Sequence, residues 1–315
     1  MGKLLLKNLY DLASFDGAIE QVKAMDTAGG TILGRNLEYV TQEVFKQRVA
    51  GVTFLDSGIE IDNSGGWADA ITKRKIGVNG GFRTDGDNSN TNGKISIKAE
   101  SDTIQVIMRE ASSDWTEMQL KQSDLEGRNL VQDLIGGHDQ LYKQEIDEIG
   151  YTGGAVGTGL LNYSGWSSDA SAGVFSGLTG LEMYNEVRDI INLQRSAVYN
   201  DPMFSCDAMA VHPDTFNLLS STILNSAAGA MSVMEAIKMN LGIKKIVVTF
   251  RASISGTKRL VVYSTFREGM VMRIPQQLMV SPVDQKGFHY YVESLFRIGG
   301  LDVAEDAAAY VLTGV

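Results

Sequence analysis

The chain is poor in the residues on which most enzymatic and metal chemistry depends: 315 residues contain one cysteine, three histidines and four prolines. A single thiol, Cys206, excludes an intrachain disulfide and any multi-cysteine metal site, and reads as a small buried hydrophobe in a reducing compartment. His138, His212 and His289 lie far apart with no H-E-x-x-H spacing, so neither a metal nor a cofactor is expected. Cations are also in deficit: 28 Lys and Arg against 38 Asp and Glu leave a net charge of -10, which argues against general attraction to the phosphate backbone of nucleic acid. No apolar run approaches the ~18 residues of a membrane span. In the opening "MGKLLLKNLYDLASFDG", Lys7, Asn8 and Asp11 cut the apolar run short of a signal-peptide core, and Leu6 breaks the myristoylation pattern after Gly2.

What the chain does have is glycine, 34 of them, and long periodic stretches. Leu5, Leu9, Leu12, Ile19 and Val22 fall on one helical stripe, an amphipathic arm that needs something to lie against. "DTAGGTILG" (26 to 34) then reads as a hinge. Over 59 to 109, "IEIDNSGGWADAITKRKIGV" and "KISIKAESDTIQVIMRE" alternate with period two at Ile95, Ile97 and Ala99 and at Ile104, Val106 and Met108, which predicts extended strands. Between them "NGGFRTDGDNSNTNG" (79 to 93) is a polar tip with one aromatic. The pattern describes a long hairpin protruding from a body.

Ser123 and Glu126 form a capping-box signature, and Leu130, Leu134, Leu141, Ile146 and Ile149 keep to one face until Gly150. A helix is predicted from 124 to 149, about 39 Å long, weakened or bent at Gly136 and Gly137. The glycine-rich "YTGGAVGTGLLNYSG" (151 to 165) follows. Next comes an alternating set: helix "LTGLEMYNEVRDIINLQRSAVYN", strand "DAMAVHP", helices "DTFNLLSS" and "SVMEAIKMNLG", and the strands "IKKIVVTF" and "RLVVYS" joined by "RASISGTK". From 270 onward the strands "MVMRIPQQLMVSP", "HYYVESLFRIGGLDV" and "DAAAYVLTGV" are expected to pack beside the long helix.

Several chemistries can be tested against this pattern. The glycine-rich segment lacks the Lys-Ser/Thr of a Walker loop, has Asn162 where a dinucleotide motif needs its third glycine, and follows a helix rather than a strand, so it is not a phosphate cradle. His212, between a predicted strand and a helix start, is the best catalytic candidate. The competing reading is a turn residue with Pro213 at the first helical position and Asp214 in the first turn. No G-x-S-x-G elbow is present. Asp302, Glu305 and Asp306 could in principle serve acid/base work but read as a solvated face or subunit contact, and the aromatics of "FHYYVESLF" read as core rather than as a base-stacking platform. No catalytic, cofactor-binding or metal-binding residue emerges.

The order of arm, polar-tipped hairpin, long helix, glycine-rich turn, α/β unit and closing strands resembles the tailed-bacteriophage major capsid protein family with the Hong-Kong-97-like fold. The sequence points that carry the resemblance are "GGAVGTGLLNYSG", "PDTFNLLSS" and the tail from "FREGMVMRIPQQLMVSP" to "YVLTGV". It implies an α+β chain with an N-terminal arm (1–35), a strand and extended loop (36–109), and a peripheral domain with spine helix and glycine-rich turn (110–177). It also implies an axial domain (178–268), tipped by "RASISGTK" or "NSAAGAM", and peripheral C-terminal strands (269–315). The implied function is non-enzymatic self-assembly into pentamers and hexamers of an icosahedral phage head that encloses double-stranded DNA without sequence-specific binding. The implied location is the virion, after assembly in the host cytoplasm. Leu5, Leu9, Leu12, Phe82, Arg83, Asp85 and Asp87 are the candidate subunit contacts. Expected partners are further copies of the chain, a separate scaffolding protein because the arm is short, a portal and a decoration protein, with no membrane. The founding member joins an extended-loop lysine to a peripheral asparagine of its neighbour. No asparagine follows Asn240 here, so Lys73, Lys75, Lys94 and Lys98 are expected to stay uncrosslinked. The alternatives are an encapsulin-like nanocompartment shell, told apart by particle content, and a soluble α/β enzyme with a pocket near His212.

Overall fold

The computed structural model describes residues 51–82, 94–224 and 231–315. They fall into two units: Met118–Asn129 belongs to the first, and 51–117 with 130–315 make up the second.

The first unit corrects the predicted start of the long helix. Helix α1 occupies Glu117–Leu125, so Ser123 sits in its last turn rather than at an N-cap. The Ser123 hydroxyl donates to the Arg128 carbonyl (2.8 Å), Arg128 N–H donates to Ser123 O and Gly127 N–H to Asp124 O. With Gly127 at φ +69°, this is a Schellman closure, a stop signal where the capping-box spacing predicts a start.

In the second unit a single 3-10 turn at Phe54–Asp56 precedes strands β1 (Ile61–Asp62), β2 (Ala70–Gly80), β3 (Ile95–Gln105) and β4 (Ile107–Thr116). The long helix α2 is Leu130–Thr152, followed by β5 (Ser167–Ala170), α3 (Gly180–Ala197), β6 (Ala208–Val211), α4 (Pro213–Ser221) and α5 (Val233–Leu241). Strands β7 (Lys245–Val248), β8 (Ser253–Ile254), β9 (Thr257–Tyr263), β10 (Met270–Arg273) and β11 (Gln276–Val280) come next. They are followed by β12 (Asp284–Lys286), β13 (His289–Ile298), β14 (Gly300–Val303) and β15 (Ala309–Thr313).

Helix α2 runs past Gly150, the predicted end, because that residue is a packing position. A Cβ at 150 would lie 2.4 Å from the Phe54 ring. Gly153, at φ +80° with its N–H on Ile149 O, makes the left-handed exit instead.

The α/β part is built on the sheet order β5-β15-β9-β6-β7, so β7 and β9 lie on either side of β6 rather than together, with β8 turning back onto β9. Strand alternation divides its side chains between two cores. Ala208, Ala210, Val261, Tyr263 and Val311 join Ile146, Ile149 and Tyr151 of α2, while Met209, Val211, Leu260, Val262 and Leu312 join Val187, Ile191, Leu219 and Ile237 of the helices on the other face. Within 269–315, β15 joins this sheet rather than those of the other C-terminal strands. β15 pairs antiparallel with β9 and parallel with β5, because its "AYVLT" has apolar residues for both cores. Buried Gln194 helps fix it, donating to Ala307 O (2.9 Å) and Phe204 O while accepting from Cys206 N–H.

The remaining strands form two smaller sheets and the hairpin. β13 pairs with β11 and β12 on one side and with β4 along ten residues on the other, and β10 bridges β1 and β14. Among the described residues β2 and β3 pair only with each other, from Ala70↔Gln105 to Gly80↔Ile95. At Val106, whose N–H bonds Asp69 O (2.9 Å), the chain leaves the hairpin and enters the β4–β13 ladder.

Candidate assembly surface

The residues singled out for chemistry turn out to be structural. In the glycine-rich segment most of the backbone donors are already used within the segment and by α2. Val156 and Gly157 N–H bond Gly153 O, Leu160 N–H bonds Gly150 O, and Leu161 N–H bonds Tyr151 O. Asn162, in the place of the missing third glycine, ties the loop from within: its Oδ1 accepts from Gly159 N–H (2.7 Å) and its Nδ2 donates to Thr152 O (2.6 Å), capping α2. The segment is a tight exit from a helix. Cβ atoms at Gly153 and Gly159 would come within 2.4 Å of backbone nitrogen.

His212 is the N-cap of α4, its Nδ1 accepting from Asp214 N–H (3.3 Å) with Pro213 in the first turn, while Asp214 pairs with Lys258 (2.8 Å). His138 of α2, nearly fully buried, sits between Ser113 Oγ on Nε2 (2.9 Å) and Ser294 Oγ on Nδ1 (2.7 Å), joining α2 to β4 and β13. A triad would place a carboxylate where Ser294 stands, so the ring is a strut rather than a base. It borders a groove of about 470 Å³ whose Arg109 and Glu145 pair with each other. Cys206 is buried, and that burial pushes its thiol up to about 11, outside the reactive range. Among the described residues no cluster of three metal-ligating side chains occurs, and no helix is long and apolar enough to cross a membrane.

Among the described residues the hairpin is an extended surface that the rest of the chain leaves uncovered. In β2 only Ile71 and Lys73 are partly covered, and in β3 only Ile104 is; from Arg74 to Ser101 every described residue is exposed. Register places Ile76 opposite Ala99, Val78 opposite Ile97 and Gly80 opposite Ile95, all on one face, while Lys75, Glu100 and Lys98 take the other. Ile76, Val78, Ile95 and Ile97 are 59–74% exposed. Of the candidate contacts, Phe82 stands 99% exposed just beyond β2. Leu5, Leu9, Leu12, Arg83, Asp85 and Asp87 lie outside the described residues.

The hairpin root is held by an alternating chain of charges that the sequence did not reveal. Lys73 Nζ donates to Asp302 Oδ1 and to Val303 O, and Arg273 bonds Asp302 Oδ2 (3.0 Å) and Asp62 Oδ2. Arg267 reaches Asp62 (3.3 Å) and Glu60 (2.7 Å). Burial alone would push the Asp62 carboxyl up, but hydrogen bonds from Ser64 and the Arg273 and Arg267 charges outweigh it and hold the group below its ordinary value. Lys73 and Asp302 are 229 positions apart, so no local pattern could pair them.

Comparison with solved structures defines the class of this architecture. The fold is similar to that of the capsid of Myoviridae phage XM1, at 41% sequence identity over 89% of this chain and 98% of that one, with a TM-score of 0.82. It is also similar to the capsid of the empty GTA particle, at 13% identity over 89% and 96% of the two chains and a TM-score of 0.66. A virus-like particle from Pyrococcus furiosus, at 11% identity over 82% of this chain and 92% of that one, has a TM-score of 0.50. These last two likenesses show the shared fold alone.

A family model described as major capsid protein matches residues 85–315, and the chain belongs to that family. A search of curated proteins found no match. The role is therefore that of a tailed-phage major capsid protein, a structural, non-enzymatic component of the virion shell, and neither the enzyme reading nor the encapsulin-like reading has better support.

Proposed function

We propose that the chain assembles as pentamers and hexamers of an icosahedral head around double-stranded DNA, with the β2–β3 hairpin as the extended loop that packs on a neighbouring copy. The observation that carries this reading is the hairpin's apolar face: four β-branched side chains on two strands stand exposed, with nothing from the body covering them among the described residues. An exposed stripe of that kind is costly in an isolated chain and stabilising once covered, and weak contacts repeated around a closed shell sum to large avidity. Leu5, Leu9 and Leu12 of the arm, and Phe82, Arg83, Asp85 and Asp87 of the tip, are the further candidate contacts.

In this reading residues 178–268, completed by β5 and β15, form the axial domain, and α2 with β4 and β11–β13 forms the peripheral domain. The shell is uncrosslinked. Lys73 is committed to Asp302, and no asparagine follows Asn240. A separate scaffolding protein, a portal and a decoration protein complete the assembly. The net charge of -10 suits a wall along which DNA must slide.

Negative-stain microscopy of the expressed full chain, alone and with its scaffolding protein, tests the reading. Closed megadalton shells whose subunits run as single bands on denaturing gels are expected. A stable monomer or small oligomer under both conditions overturns the assembly, and a covalent ladder overturns the uncrosslinked shell.

A further inference from the structure

We propose that the hairpin is a lever with a fixed root: two clamps, Asp302 on Lys73 and Arg297 on Asp69 and Trp67, set the angle at which it leaves the body, and bending is confined to the blade beyond the Lys73–Asp102 rung. The inference concerns the single subunit and holds whatever the blade meets.

The geometry defines both clamps. On one side, Arg297 of β13 donates to Asp69 Oδ1 (2.6 Å), and its guanidinium lies 5.8 Å from the centroid of the Trp67 ring, in the turn that leads into β2. On the other, Lys73 reaches across to Asp302 and Val303 O of β14. Between them Gly299 lets the root close in: a Cβ there would meet Ile104 Cγ2 and Arg273 Cβ at 3.3 Å. The Val106 N–H bond to Asp69 O ties the outgoing strand to the incoming one at the same level.

Each clamp has at least one buried member: Asp302 is 2% exposed and Arg297 5%, although the Asp69 side chain is 95% exposed. If the root swung away, a buried carboxylate would keep Arg273 but lose its ammonium, and a buried guanidinium would lose its carboxylate, both costly in a low-dielectric site. Asp302 also passes the constraint on, through Arg273 to Asp62 of β1, so the root is referred to three strands of the body at once. Beyond Lys73 no such link exists among the described residues. Asp102, Lys73's other carboxylate at 3.4 Å, is itself 64% exposed on the hairpin and ties one hairpin strand to the other. Body contact therefore ends at this rung, and the blade bends as a two-stranded ribbon.

Double electron–electron resonance between spin labels at Lys98→Cys on the blade and Ser168→Cys on β5 measures the angle. The labelled full chain is diluted in excess unlabelled chain so that intrachain distances dominate. Native Cys206 is buried, with its thiol shifted out of the reactive range, and does not compete for label. A narrow distance distribution is expected for the otherwise native chain. A shifted mean and a wider distribution are expected for Lys73→Met and Asp302→Asn, with the narrow distribution restored by Lys73→Arg and retained by Asp102→Asn. Lys73→Met decides the matter if Asp302→Asn does not fold. An unchanged distribution in Lys73→Met, or equal broadening in Asp102→Asn, overturns the proposal, since a purely stabilising role would lower the melting temperature without moving the angle.

Discussion

The hairpin and the six-stranded sheet are both made of alternating strands, yet they solve burial in opposite ways. In the sheet the strands β6, β9 and β15 send odd and even side chains into two different cores, so that all four residues of β6 are buried. In the hairpin, the same period-two pattern gathers Ile76, Val78, Ile95 and Ile97 on one face and covers them with nothing from the described chain. Alternation thus says that a strand has an apolar face, without saying whose residues will cover it. The sheet buries its apolar side chains within the described chain. The hairpin leaves its own uncovered there and is held to the body by charge at its root.

The difference can be broken first where it is largest. Ile191 of α3 is fully buried in the helix-side core, and Ile191→Ala should cost about 2–5 kcal/mol, the usual range for deleting a buried aliphatic side chain and leaving a cavity. The measurement is the urea midpoint of the full chain, read against an unchanged slope. A loss below about 1 kcal/mol would mean that the α/β part does not carry its own stability.

The second effect is intermediate and depends on pH. Asp62 has a folded-state pKa held below its ordinary value of 3.8. The stability it contributes is therefore fully present above that value and is lost as pH falls through the lowered folded value. Asp62→Asn should cost on the order of 1.5–3 kcal/mol at neutral pH, as for loss of a hydrogen bond to a charged group, and should flatten the acid limb of the stability curve. Thermal melts from pH 7 down to about pH 2 check both parts. An acid limb as steep in the variant as in the native chain would remove Asp62 from the account.

Much of this could be read locally, and what could not has a physical reason in each case. The hairpin strands, α3 and its neighbours follow from periodicity and caps. Thr179 and Ser232 form complete capping boxes with Glu182 and Glu235. The same spacing at Ser123 and Glu126 misled, because Gly127 downstream allowed a left-handed closure and Ser123's hydroxyl turned to Arg128 O. Gly150 misled because its role is set by Phe54, 96 positions away, and glycine chosen for close approach looks the same in sequence as glycine chosen for a helix stop. β15 reads as one more C-terminal strand, and only its neighbours β9 and β5 show which sheet it completes. The apolar face was visible as alternation at Ile95 and Ile97. The charged root, joining positions 62, 73, 273 and 302, leaves no local trace.

The smallest effect on the single chain sharpens the comparison most. Ile97→Ser and Val78→Ser, alone or together, remove apolar surface that the described residues do not bury, so each should change folding stability by less than about 0.5 kcal/mol. Thr103→Ser, on the same face of β3 but at its root end, serves as a conservative control. If the blade is an assembly element, the serine variants should keep the native urea midpoint and fail to form closed shells, or form shells that dissociate at lower denaturant. Because association energy sums over every copy in the shell, a loss too small to detect in one subunit becomes large in the particle. Serine variants that assemble like the native chain would show the face to be merely solvated. A marked fall in subunit stability would show that the blade is covered within its own chain, and the contrast with the six-stranded sheet would disappear.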